Sequence, residues 1–154
     1  MTANRPDPQE PGTSSSVGFA PSAPKYAVVP ADLLRQHFGE PPGLLADVGG
    51  ALAYEADIVQ RDRWIIHMAC IDLDTVKTAA RNGVRTAIKA PAHNLPFPSG
   101  LYSAAVLALP DSAEVEKALR ELVRICRPGA KVVVTTTVHQ DAESVRTVLN
   151  EHGL

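Results

Sequence analysis

Strand-like and helix-like segments alternate along this chain with short connections, and that rhythm limits the fold more than any single motif. LLADV (44–48), WIIHMACI (64–71), VRTAIKA (84–90), LYSAAVLAL (101–109) and KVVVTTTV (131–138) read as strands. WIIHMACI is apolar almost throughout, as expected of a strand covered on both faces. DSAEVEKALRELVRICRPG is the clearest helix. Its Val115, Ala118, Leu119, Leu122, Val123 and Cys126 recur at i, i+3, i+4 and i+7 and form one core-facing stripe. Asp111 and Glu114 offer a capping-box-like start, and Pro128-Gly129 an end. DLDTVKTAARNG is a second helix, with Asp72 or Asp74 as N-cap and Gly83 as stop. PADLLRQHFG before the first strand and DAESVRTVLNEHG after the last complete the set, with a weaker helix near 53–61. The pattern predicts an α/β fold with a doubly wound parallel sheet.

At 154 residues the chain is one domain's worth, and 45% hydrophobic content supplies a core for it. The domain is expected over residues 26–154. Residues 1–25, rich in Pro and Ser, bury too little apolar surface to offset ordering and are expected to be a disordered tail. A net charge of -2, with scattered Lys and Arg, gives no reason to expect a nucleic-acid partner. No apolar run reaches the roughly 20 residues of a membrane span, so no membrane is expected. The N-terminus lacks a signal peptide's basic and apolar regions. Cys70 and Cys126 form no CxxC or zinc spacing, which fits a reducing, cytoplasmic setting.

The stretch DVGGALA (47–53) poses the functional question. A strand that runs into glycines is where many α/β proteins hold a nucleotide, yet these two glycines are adjacent and alanines follow. Elsewhere the sequence offers little chemistry. His67 reads as a satisfied core or strand-end histidine and Cys126 as a core residue. His93, in the loop at a carboxyl strand end, is better placed for function, and His37, His139 and His152 have no partners at metal-ligand spacing. No catalytic residue and no metal ligand is assigned.

Three segments together resemble the class I S-adenosylmethionine-dependent methyltransferases of the type 11 kind. They are LLADVGG, then ACIDLDTVKTAARNGVRTAIKAPAHNLPFPSGLYSAAV, and then EKALRELVRICRPGAKVVVTTT. The resemblance covers about residues 40–153. It implies a Rossmann-like sheet of strand order 3-2-1-4-5 that lacks the family's usual last two strands. It also implies S-adenosylmethionine as cofactor, across the carboxyl ends of the first two strands.

Carried over residue by residue, the family's cofactor positions fall on Asp47, Gly49, Gly50, Ala51, Cys70, Ile71, Asp72, Pro91 and Ala92. Asp47 and Gly49 match the family's D-x-G. Its second and third glycines fall on Ala51 and Ala53, with Gly50 displaced by one. The carboxylate expected to accept both ribose hydroxyls falls on Cys70, a poor acceptor. Asp72 lies two residues on, as a shifted ligand or as a helix cap. Ala90-Pro91-Ala92 replaces G-D-A, and Ser103 stands where the family has an acid before its fourth strand. The expectation is a methyltransferase-like domain that is degenerate and acts as a binding, regulatory or assembly partner. The alternative is an active S-adenosylmethionine-dependent methyltransferase on a small molecule. The last strand (131–138) would be an uncharged, β-branched edge beyond Lys131. Such edges invite pairing, so it is expected to meet a second copy, a partner protein, or the chain's own KYAVV (25–29).

Overall fold

The computed structural model describes residues 28–39, 43–109, 114–136, 142–151 and 153–154. The expected tail, EPPG apart from Gly43, Asp111, His139, His152 and the end of the last expected strand lie outside them. The elements are α1 (Ala31–Phe38), β1 (Gly43–Val48), α2 (Ala56–Arg61), β2 (Trp64–Cys70), α3 (Leu73–Arg81), β3 (Thr86–Lys89), β4 (Tyr102–Leu109), α4 (Val115–Ile125), β5 (Cys126–Thr136) and α5 (Ala142–Glu151). The five strands form one parallel sheet, ordered β3-β2-β1-β4-β5. β1 pairs with β2 on one side and β4 on the other, so the order reverses beside β1, at the topological switch point.

Side chains on a strand alternate between faces, and here the alternation sorts them into two cores. Leu45, Ile66, Met68, Ala104 and Val106 pack with Leu34 and Phe38 of α1, Val59 of α2 and Ala79 of α3. Ala46, Val48, Ala69, Ala105 and Leu107 pack with the α4 stripe, against which α5 adds Val145, Val148 and Leu149. The α4 stripe is the one the spacing predicts, through Leu122, with Ile125 as its last buried residue in the helix. Among the described residues no helix is long and apolar enough to cross a membrane.

Two expectations need correction. β2 is not covered on both faces along its length, because Ile65 is 59% exposed. The β3–β4 connection is irregular rather than helical. It tucks Leu95 and Phe97 into the α4-side core and leaves Ile65 open. Arg124 of α4 fixes this connection by donating to the carbonyls of Leu95 and Phe97, while Glu121 accepts from the Leu95 N–H. The second correction concerns RPG. Cys126 takes an extended conformation and pairs with Tyr102, so β5 starts there rather than at Lys131, and an irregularity between Tyr102 and Ala104 absorbs the residues that look like a turn.

Candidate functional site

The carboxyl edge of β1, β2 and β3 gathers all the residues that the sequence nominates. Asp47, the penultimate residue of β1, has its carboxylate fully buried. One oxygen accepts the Ala51 N–H at 3.1 Å and the other the Leu52 N–H at 2.9 Å. Burial pushes the Asp47 carboxyl up to about 7, against the opposing pull of these backbone donors. The carboxylate therefore pins the turn that follows it and has no exposed face.

The turn needs both glycines. Gly49 and Gly50 have φ of 102° and 84°, the region that favours glycine. The Gly49 N–H donates to the Ala69 carbonyl of β2 at 2.8 Å. A Cβ on Gly49 would lie 1.9 Å from the Ala108 carbonyl oxygen, and one on Gly50 would lie 2.4 Å from Thr75 Cγ2. Ala51, Leu52 and Ala53 then turn inward and are completely or almost completely buried.

Cys70 ends β2 and is 1% exposed. Its Sγ donates to the Gly49 carbonyl at 3.3 Å and accepts the Asp72 N–H at 3.4 Å. Burial pushes its thiol up, and burial also pushes the Cys126 thiol up to about 11. Both are free thiols and both are buried. Neither should react with iodoacetamide at pH 7.5 in the folded protein, whereas both should react in 6 M urea. Mass spectrometry reads the difference, and rapid native labelling of Cys70 would contradict its buried position.

Asp72 is the N-cap of α3. One oxygen accepts both the Thr75 N–H and the Thr75 hydroxyl, at 3.0 and 2.7 Å. Ile71 and Leu73, on either side, are 55% and 47% exposed. Across the edge, the Ala90 N–H donates to the Cys70 carbonyl at 3.2 Å. Half-buried Pro91 and Ala92 follow directly in the chain, just past the end of β3. Ser103 does not join them. Its hydroxyl donates to the Leu44 carbonyl at the opposite, amino-terminal edge of the sheet, so its neutrality has no bearing on this crevice.

Thr75 is the residue that sequence reading overlooked. It is buried and fills the space between Gly50 and α3. The D-x-x-T spacing of Asp72 and Thr75 was its available signal. His67 is half-buried rather than core, and faces Tyr102, with Nδ1 2.9 Å from the phenol oxygen. Burial lowers its pKa and raises that of Tyr102 to about 12. His93 pairs with Glu114 at 2.5 Å. Among the described residues no three His, Cys, Asp or Glu side chains are grouped to hold a metal ion.

A family profile described as "Methyltransferase domain" matches residues 46–134. No curated protein matches the sequence. Among solved structures, the [4+2]-cyclase SpnF is 25% identical, with a TM-score of 0.65 over 80% of this chain and 55% of that one. A putative methyltransferase from an antibiotic biosynthesis pathway of Anabaena variabilis is 14% identical, with a TM-score of 0.64 over 79% of this chain and 59% of that one. Geranyl diphosphate C-methyltransferase from Streptomyces coelicolor A3(2), solved with Mg2+, geranyl diphosphate and S-adenosyl-L-homocysteine, is 16% identical, with a TM-score of 0.58 over 79% of this chain and 52% of that one. The chain thus spans little more than half the length of these neighbours. With more than half of its residues matched by that profile and its sheet ordered 3-2-1-4-5, it belongs to the methyltransferase domain family, type 11, with the Rossmann-like fold of the class I S-adenosylmethionine-dependent methyltransferases.

Proposed function

We propose that this is a methyltransferase-like domain whose cofactor crevice is degenerate, and that it acts as a binding, regulatory or assembly partner. The observation that carries this reading is the burial of Cys70. The side chain at the ribose position is a neutral thiol turned inward onto the Gly49 carbonyl. The nearby carboxylate of Asp72 is engaged in capping α3, and Pro91 supplies neither a carboxylate nor an N–H. The Thr75 methyl closes on Gly50 from the far side. These residues do not fit a ribose that needs a two-hydroxyl acceptor, so no methyl-transfer step is derived through the cofactor. Two buried free thiols suit a cytoplasmic setting.

One observation favours the second reading, an active S-adenosylmethionine-dependent methyltransferase on a small molecule. Exposed Ile71 and Leu73 offer an apolar surface to a nucleobase beside the intact Asp47-Val48-Gly49 turn. Thermal melting with S-adenosylmethionine and with S-adenosylhomocysteine separates the two. A ligand present at 100 times its Kd adds about 2.7 kcal/mol to the folded state, which raises Tm by roughly 5–10 °C in a domain this size. The expected result is no shift at 1 mM of either ligand. A saturable shift at micromolar ligand would reject the degenerate reading in favour of the enzyme.

A further inference from the structure

β5 is the outermost strand on its side of the sheet, and no strand among the described residues pairs with its free edge. A cavity of about 650 Å3 runs beside that edge. Its walls come from the two faces of the sheet. Val133 meets the core that contains α1, and Val132 and Val134 meet the core that contains α5. The edge therefore lies in a slot between the end of α1 and α5, apolar on both sides. An inserted strand would bury alternate side chains against each wall, while β5 supplies main-chain hydrogen bonds.

The charge around the slot narrows the occupant. Among the described residues the ionisable side chains that line it are His37, Lys131 and Arg146, with no Asp or Glu among them. This is a basic rim on a chain of net charge -2. None of the three forms an ion pair with a described residue. A second copy of the chain would bring the same cations to the same slot, and like charges across an interface are unfavourable. Of the chain's own 25–29 segment, Val29 is held at the turn after β1, where its N–H donates to the Ala51 carbonyl. We propose that the slot beside β5 docks an extended strand of a partner protein, apolar at its centre and acidic at its ends. This surface is on the lateral edge of the sheet, away from the Cys70 crevice, so the inference stands apart from the question of cofactor binding.

A display library of random ten-residue peptides tests it on the full chain. Selected binders should carry Val, Ile or Thr at the centre and Asp or Glu at the ends. The best binder should slow hydrogen exchange at the outward amides of β5. The double variant Lys131→Glu, Arg146→Glu alters two exposed or half-exposed side chains. It should weaken that binder at least tenfold and shift selection toward basic ends. The proposal is overturned if no sequence is enriched, if basic ends are selected by the unaltered chain, or if charge reversal changes nothing. It is also overturned if the β5 amides are already protected without peptide, in a monomer by its own chain or in a dimer by a second copy. S-adenosylmethionine melting reads the crevice separately, so either proposal can fail alone.

Discussion

Gly49→Ala should cost the domain about 4 kcal/mol, and Gly49→Val should leave it unfolded. The two parts of the cost have separate causes. A φ of 102° is strained for any side chain, by about 1–3 kcal/mol. A Cβ placed 1.9 Å from the Ala108 carbonyl must also push β1 from β4, and such overpacking costs about 1–3 kcal/mol. Domains of this kind hold only about 5–15 kcal/mol in total. Gly100 is the control: its φ is 67° but nothing lies within 4 Å of an added Cβ, so Gly100→Ala should cost only about 1 kcal/mol. Urea unfolding midpoints measure both, and equal losses would remove the claim that the close approach to β4 matters. The consequence for function is practical. Gly49 holds the two halves of the sheet together at the switch point, so its substitution is unsuitable as a probe of ligand binding.

The alternation of elements was legible because it is local. Each helix carries its own stripe and each strand its own apolar run, so α4 and β1 fall within a few residues of where spacing places them. Strand order was not legible in that way. Nothing in the periodicity of LLADV says that it lies between β2 and β4, and the order came through the resemblance carried by LLADVGG, NGV, LPFP and RPGA. The errors share one cause. Pro128-Gly129 has turn chemistry, but the pairing of Cys126 with Tyr102 extends the strand through it. WIIHMACI is apolar throughout, but whether Ile65 is covered depends on how the distant 90–101 connection runs.

At the crevice the residue types were legible and their directions were not. Sequence shows a thiol at position 70 in place of a carboxylate. Only the backbone path shows that this thiol faces the Gly49 carbonyl rather than the opening. Asp72 was readable both as ligand and as cap, and its bonds to Thr75 give it the cap. Ser103 was read as a neutral replacement of an acid before the fourth strand, which left open what its side chain meets. Its bond to Leu44 places it at the amino-terminal edge of the sheet.

The stability of the domain should carry a pH dependence that belongs to Asp47. Burial raises its carboxyl from 3.8 to about 7, so between those values the folded state holds a proton that the unfolded chain has released. Stability from this group is therefore fully present below about pH 4 and is lost as pH rises through 7. At about 1.4 kcal/mol per unit, a shift of this size amounts to about 4 kcal/mol. Other groups act in the opposite direction. His67, lowered by burial, and Glu121, lowered first by its bond with Arg124, each favour the folded state as pH rises through their own ranges. A single curve would mix these contributions, whereas the difference between the unaltered chain and Asp47→Asn isolates one. The asparagine cannot ionise, but its amide nitrogen cannot accept the second backbone N–H, which costs about 1 kcal/mol. Asp47→Asn should therefore be slightly less stable at pH 4 and more stable at pH 8, with a crossing between. Asp47→Ala should be less stable than the asparagine variant throughout, because it leaves the Ala51 and Leu52 donors unpaired. Urea unfolding at pH 4, 5, 6, 7 and 8 reads all three proteins. Parallel curves for the unaltered chain and Asp47→Asn would mean that the carboxylate is solvated, reopening the turn as a place where its charge could meet a ligand. The crossing would instead tie the retained Asp-x-Gly to the backbone it holds.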